Sequence, residues 1–250
     1  MTLQEWKIFK YLSIAIFAAG IFSAFFSQQS KGRSRAAHWV NSFGFILTWF
    51  AGYGMMKATG LKMKEPWILN SIVGSFAAFT LTVWSVGVTK WRPLMGALAA
   101  TGYAFSIVAM TFRGAPCGSI LSITLPLVFG GSFVYLQKLG SGQEEDLVVA
   151  QQESLNWFWW IARIEGLSLI VLFGVYMPLK YGAKIVLDGG QGWFGWAHGI
   201  FQVVYVAGLI SVVRLQKWPI TRGVAGFVAS LLPLGTFFFE KKFKSESSSE

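Results

Sequence analysis

Charged residues are scarce in this sequence. Only 13% of its 250 residues are Asp, Glu, Lys or Arg, whereas 54% are hydrophobic, and soluble domains average roughly 25% charged residues. The mean hydropathy is +0.53. This composition excludes an ordinary soluble globular protein and predicts a polytopic membrane protein.

Cysteine and histidine are almost absent: Cys117 is the single cysteine, and His38 and His198 are the two histidines. One thiol excludes an intrachain disulfide and a cysteine-based zinc cluster. The GxxxxGK, HExxH and GxSxG motifs of common enzymes are also missing. We therefore predict no metal, no cofactor and no catalytic residue. Haem is disfavoured because the expected helix order places His38 and His198 near opposite membrane surfaces.

The charge balance is basic, with a formal net charge of +10. The Lys and Arg residues lie mainly in the connectors between apolar runs, where anionic lipid headgroups attract them. We interpret this as membrane-surface charge. The expected partners are membrane lipids, including a bound lipid, and other membrane protein subunits, with no role for nucleic acid.

Apolar runs near the ~20 residues that cross a bilayer recur along the whole chain. They are continuously apolar rather than alternating, which favours helices over barrel strands. We predict an all-α transmembrane helical bundle of about eight helices. The predicted spans are 8–26, 38–56, 67–88, 94–112, 120–136, 156–178, 192–213 and 223–239.

The spans divide into a five-helix part and a three-helix part. The expected domains are a five-helix part (1–140), an acidic connector (141–155), a three-helix membrane module (156–240) and a disordered charged tail (241–250). Pro126 and Pro233 lie inside spans and predict kinks there. An even number of spans places both termini on one side. That side is expected to be the inside, since the acidic loop then falls outside.

Polar side chains inside the sixth and seventh spans form a candidate site. His198, Gln202 and Tyr205 follow an i, i+4, i+7 spacing and share one helix face. Glu165 in the sixth span is expected near Tyr205 or Gln202, whereas Arg163 points toward the membrane surface or the acidic loop. Two interpretations stay open: the side chains satisfy one another and hold two helices together, or they bind a solute, proton or lipid group.

Other conspicuous residues are interpreted as structural. His38 is expected at the headgroup level. Small residues such as Gly44 and Gly74 suit close helix packing. Tryptophans near span ends are expected to be interfacial anchors: Trp157, Trp159, Trp160, Trp193, Trp196 and Trp218.

The C-terminal third contains the motifs "ARIEGLSLIVLF", "MPLKYG", "GWAHGIFQVVY" and "LLPLGTFFFEKKF". Over about residues 155–244 it resembles the three-helix integral membrane family of YdzA-like bacterial proteins, which is characterised by a His-Gly pair. The resemblance implies a three-helix fold and a bacterial inner membrane, but no activity. Residues 1–140 lie outside it. The matching residues are Arg163, Glu165, Gly166, Pro178, Lys180, Tyr181, His198, Gly199, Tyr205 and Pro233.

Three functional hypotheses follow. The leading one is a non-enzymatic accessory or interaction subunit of a membrane assembly, because the short connectors leave no room for a soluble catalytic part. The alternative is a carrier or channel for a small solute, ion or lipid, using the polar stripe between the sixth and seventh helices. The last is a membrane redox protein or other enzyme.

Overall fold

The protein is built from α-helices. The structure, a computed structural model, describes residues 1–27, 29–111, 120–139, 146–187 and 192–246, and no β-strand occurs in these ranges. The all-α prediction is therefore confirmed for this part of the chain. In chain order the helices are α1 Leu3–Phe26, α2 over residues 30–59, α3 Pro66–Trp84, α4 Arg92–Thr111, α5 Ile120–Leu139, α6 Leu147–Gly182, α7 Trp193–Leu215, α8 Ile220–Ala229 and α9 Gly235–Glu246.

Local signals account for several helix ends. Thr2 and Glu5 form a capping box at the start of α1, which satisfies two backbone N–H groups that the helix leaves free. Pro66 occupies the first turn of α3, where its missing N–H costs nothing. Gly60 ends α2 with a φ of 68°, a left-handed conformation that favours glycine.

Five helices in the described ranges are long and apolar enough to cross a membrane: α1, α3, α4, α6 and α7. They correspond to the predicted spans 8–26, 67–88, 94–112, 156–178 and 192–213. Helices α2 and α5 lie at the predicted spans 38–56 and 120–136 without being among the five. The polytopic helical prediction is confirmed.

The prediction that the eighth span, 223–239, forms one continuous helix is wrong. The chain forms two short helices there, α8 and α9, which are separated by residues 230–234. Pro233 cannot continue the hydrogen-bonding of α8, and Leu234 adopts a φ of 67° that reverses the chain. Pro126 by contrast lies inside α5, and a kink there stays a prediction.

Helices α2 and α6 begin eight and nine residues before their predicted spans. Helix α2 starts at Ser30, within the polar stretch SKGRSR, and passes through a wider π-helical turn at Ala36–Val40. Helix α6 starts at Leu147, because the Asp146 carboxylate accepts hydrogen bonds from the N–H groups of Val148 and Val149. The predicted connector 141–155 is therefore helical from residue 147. Residues 140–145 lie outside the described ranges.

The chain divides into two compact units, Met1–Glu153 and Ser154–Glu250. In the first unit, α1 packs on α2, α3 on α4, and α4 on α5. Glycine permits the close crossings. A Cβ on Gly44 would lie 2.5 Å from the Phe17 backbone, and one on Gly74 would lie 2.6 Å from the Gly102 carbonyl oxygen. The prediction that these small residues serve close packing is confirmed.

The second unit is organised around buried aromatic rings. Trp157 is 0% exposed and packs on Gly208 of α7, where an added Cβ would lie 2.6 Å from the indole ring. Trp159 is 4% exposed and contacts Trp218 and Phe239. The expectation that Trp157 and Trp159 are lipid-facing anchors is therefore wrong, since both are packing residues. Trp160 is 53% exposed.

The predicted tail is partly helical. Helix α9 continues through the charged segment to Glu246 rather than ending at residue 240. Residues 247–250 lie outside the described ranges.

Candidate functional site

Arg163 of α6 is paired with α9. Its guanidinium makes a bidentate contact with Glu240, with Nε donating to Oε2 at 2.8 Å and Nη2 donating to Oε1 at 2.6 Å. A bidentate pair of this kind fixes the relative orientation of the two side chains and also brings their opposite charges together. The pairing of Arg163 with α9 was not predicted. Its placement relative to the membrane surface and the acidic loop stays a prediction, since residues 140–145 lie outside the described ranges. Glu240 was missed because it lies one residue past the eighth predicted span, 223–239, at the border of the predicted tail.

His198 of α7 is joined to α6 through Ser168. The Ser168 hydroxyl lies 3.0 Å from His198 Nδ1 and donates to the backbone carbonyl of Glu165 at 2.7 Å. Since a carbonyl oxygen only accepts, the single Ser168 hydrogen is used there. His198 Nδ1 is then the donor to Ser168 Oγ, and the ring is held in one orientation between two helices.

Gln202 and Tyr205, on the same face of α7, connect to α8. Gln202 Nε2 donates to Ser230 Oγ at 2.9 Å, and Ser230 in turn donates to the Phe227 carbonyl. The Tyr205 hydroxyl donates to the Gly226 carbonyl at 2.9 Å. The polar stripe thus holds the C-terminal end of α8 against α7. Neither Ser168 nor Ser230 was singled out from the sequence, where an isolated serine in an apolar run gives no distinctive signal.

Glu165 lies among these groups without a hydrogen bond to its carboxylate. Its side chain is 0% exposed, and neither Oε1 nor Oε2 has a hydrogen-bond partner among the residues that the structure describes. On α6, Glu165 lies between Phe158, whose ring packs on Tyr205, and Ser168, which contacts His198. The Tyr205 hydroxyl is already donated to Gly226. Glu165 and Tyr205 share no hydrogen bond, and a direct contact between them stays a prediction.

Helix α9 closes against α6 beside Glu165. A Cβ on Gly166 would lie 2.2 Å from Thr236 Oγ1 and 2.8 Å from the Phe237 ring. Thr236 is buried, and within the described ranges its hydroxyl oxygen has no hydrogen-bond partner. The turn at residues 230–234, before α9, therefore places Thr236 against α6 as a second polar side chain without a partner in the described part of the chain, in addition to Glu165.

His38 has a different environment from the expected one. It is 0% exposed in the first unit, and its Nδ1 contacts the Ser34 carbonyl at 2.8 Å. The expectation that His38 is exposed to lipid headgroups is wrong, because the stretch before it is helical and one face of that helix, with Arg33 and Ser34, packs inward together with His38. Arg33 is buried with it and donates to the Ser27 carbonyl.

The described residues contain no group of three or more His, Cys, Asp or Glu side chains that would hold a metal ion. Cys117 lies outside the described ranges.

Comparison with known proteins places the second unit in a family. A family model described as a domain of unknown function, DUF3817, matches residues 155–245. The uncharacterized membrane protein YdzA of Bacillus subtilis (strain 168) is 34% identical over 82 residues, which are 33% of this chain and 83% of YdzA. The chain belongs to the DUF3817 family. No solved structure gives a significant match.

The DUF3817 region contains every member of the candidate site. Its match begins in α6 and ends in α9, so it includes both Arg163 and its partner Glu240. Neither description assigns an activity. The protein is accordingly a multi-pass membrane protein whose site must be interpreted from its own geometry.

Proposed function

We propose that the chain is a non-enzymatic accessory subunit of a membrane assembly in the bacterial cytoplasmic membrane, with both termini inside. The observation that carries the proposal is the coverage of YdzA. A segment that amounts to 83% of that protein is here joined to a separate compact unit of 153 residues. Joining two membrane modules in one chain raises the effective concentration of each module at the other. Such joining is useful when the two modules act together.

The surface of α8 supports this role. Ile220, Val224, Phe227 and Val228 are all exposed and follow an i, i+4, i+7, i+8 spacing, so they form one apolar stripe. With ten residues, α8 is ~15 Å long, about half of the hydrocarbon thickness. A short apolar helix that does not span the bilayer suits contact with the transmembrane helices of another protein.

The test is native mass spectrometry of the full chain, extracted from its own membranes in lipid nanodiscs. We expect one integral membrane partner at fixed stoichiometry, and its loss in the double variant Val224→Ser, Val228→Ser. The matched control is Leu167→Ser, Phe173→Ser on α6, whose two side chains are also exposed. A wild-type chain that carries lipids alone would contradict the proposal, as would equal loss of the partner in the control.

A second candidate function, a carrier for a small solute or ion, is favoured by the buried and unpartnered Glu165 carboxylate. A carrier must admit water to the polar stripe in some state. Replacing Cys117 by Ser leaves a cysteine-free chain, into which Gln202→Cys introduces one thiol. Labelling by a membrane-impermeant thiol reagent is the expected result. Complete protection from both membrane sides would count against transport.

A further inference from the structure

The site between α6 and α7 has an excess of acceptor oxygens. Both Glu165 carboxylate oxygens and Gln202 Oε1 are buried and have no hydrogen-bond partner in the described part of the chain. On α6, Glu165 lies between Phe158, whose ring packs on Tyr205, and Ser168, which contacts His198. On α7, Gln202 lies between His198 and Tyr205 on the same helix face. The three oxygens therefore belong to one side of the α6–α7 contact.

Most of the nearby hydrogen-bond donors are already used; the exception among the described residues is the Thr236 hydroxyl, which can supply one hydrogen bond but no positive charge. Gln202 donates to Ser230, Tyr205 donates to Gly226, and Ser168 donates to the Glu165 carbonyl. Arg163 is the neighbouring cation on α6, but it is held by Glu240 and lies about 200° around the helix from Glu165. Within the described ranges, no cation therefore neutralises the Glu165 carboxylate.

A buried carboxylate without compensation is strongly destabilising. One positive charge neutralises Glu165, whereas a divalent ion would leave an excess positive charge in an apolar environment. Carboxylate and amide oxygens suit a small, hard cation or a group with several N–H donors. These requirements select a monovalent species.

We propose that α6 and α7 bind a small monovalent cation, sodium or ammonium, between the Glu165 carboxylate and the Gln202 amide oxygen. The inference builds on the site of the second candidate function but does not require transport. Bound cation would complete the polar contact between the two helices and so stabilise the DUF3817 unit.

The experiment is a thermal melt of the purified full chain in choline chloride, titrated with sodium chloride or ammonium chloride at constant ionic strength. We expect a saturable rise in Tm of about 5 °C at a hundredfold excess over Kd. The more potent salt identifies the cation. Glu165→Gln should abolish the rise, and Gln202→Ala should weaken apparent binding about tenfold. The matched control is Glu153→Gln, which removes a carboxylate from the same helix outside the site.

A Tm of the wild type that is independent of both cations would overturn the proposal and would indicate that Glu165 carries a proton instead. A rise that persists in Glu165→Gln would overturn it equally. If that variant does not fold, binding of radioactive sodium to the wild type decides the question: displacement by unlabelled sodium or ammonium at about one site per chain supports the proposal, and no displaceable binding refutes it. If the wild type binds the cation but Gln202→Cys is not labelled by the thiol reagent, the carrier function is contradicted and the cation site is supported.

Discussion

The crossing of α1 and α2 predicts that Gly44→Ala destabilises the protein although alanine is the better helix former. In the structure, a Cβ on Gly44 would lie 2.5 Å from both Cα and N of Phe17. Ordinary contacts begin at 3.4 Å, so the helices would have to separate by 3.4 − 2.5 = 0.9 Å. The opposing atoms are backbone and cannot rotate away. At the same crossing of α1 and α2, a Cβ on Gly20 would lie 2.6 Å from the Asn41 backbone.

The magnitude follows from two opposing effects. Overpacking in a well-packed contact costs about 1–3 kcal/mol, whereas replacing glycine by alanine in a helix contributes about 1 kcal/mol. The net loss is about 0–2 kcal/mol. The upper end is expected here because the opposing atoms are backbone, and a loss of about 2 kcal/mol lowers the Tm of a chain of this size by about 5 °C.

The assay is the loss of the monodisperse chromatographic peak on heating, measured in one detergent for all variants. Gly131→Ala is the matched control, because an added Cβ there meets nothing within 4 Å. The control should equal or exceed the wild-type Tm. A Gly44→Ala variant as stable as Gly131→Ala would refute the close crossing of α1 and α2.

Two further predictions concern the DUF3817 unit. Glu240→Gln should lower the free energy of unfolding by about 1 kcal/mol. The value is modest because the Arg163 side chain is 44% exposed. A double-mutant cycle with Arg163→Met measures the coupling energy between the two side chains, and a coupling energy of zero would contradict the ion pair. Leu234→Gly should raise the Tm, because Leu234 has a φ of 67° and a non-glycine residue in this conformation costs about 1 kcal/mol. The thermal assay used for Gly44→Ala measures the change in Tm. A lower Tm would count against the strained turn.

The membrane-spanning helices could be predicted from the sequence because hydrocarbon imposes one simple requirement, a long apolar segment with satisfied backbone groups. The stripe of His198, Gln202 and Tyr205 could also be predicted, since helical periodicity determines which side chains share a face. Both predictions use local information along one helix.

The burial of His38 and Trp157 could not be predicted in the same way. Near a span end, histidine and tryptophan suit a headgroup region, and composition does not distinguish a lipid-facing ring from one that faces a neighbouring helix. The deciding feature for Trp157 is Gly208 on another helix. For His38 it is the polar stretch from Ser30, which forms the first turns of α2 instead of a connector before the helix.

The partners of the polar residues were the hardest to predict. Arg163 and Glu240 are separated by 77 residues, and their contact depends on the chain break near Pro233 that returns α9 to α6. A hydropathy profile merges α8 and α9 into one apolar span and so hides that return. Both residues do lie in motifs quoted for the family resemblance, which was the available signal.

The central claim is that Glu165 holds a ligand between α6 and α7, and a high-resolution cryo-electron microscopy map of the full chain in native lipids tests it most directly. The account predicts non-protein density about 3 Å from the Glu165 carboxylate, on the side of the Gln202 amide oxygen. A Glu165 carboxylate in contact with protein groups alone, at a resolution where ordered ions are visible, would contradict it.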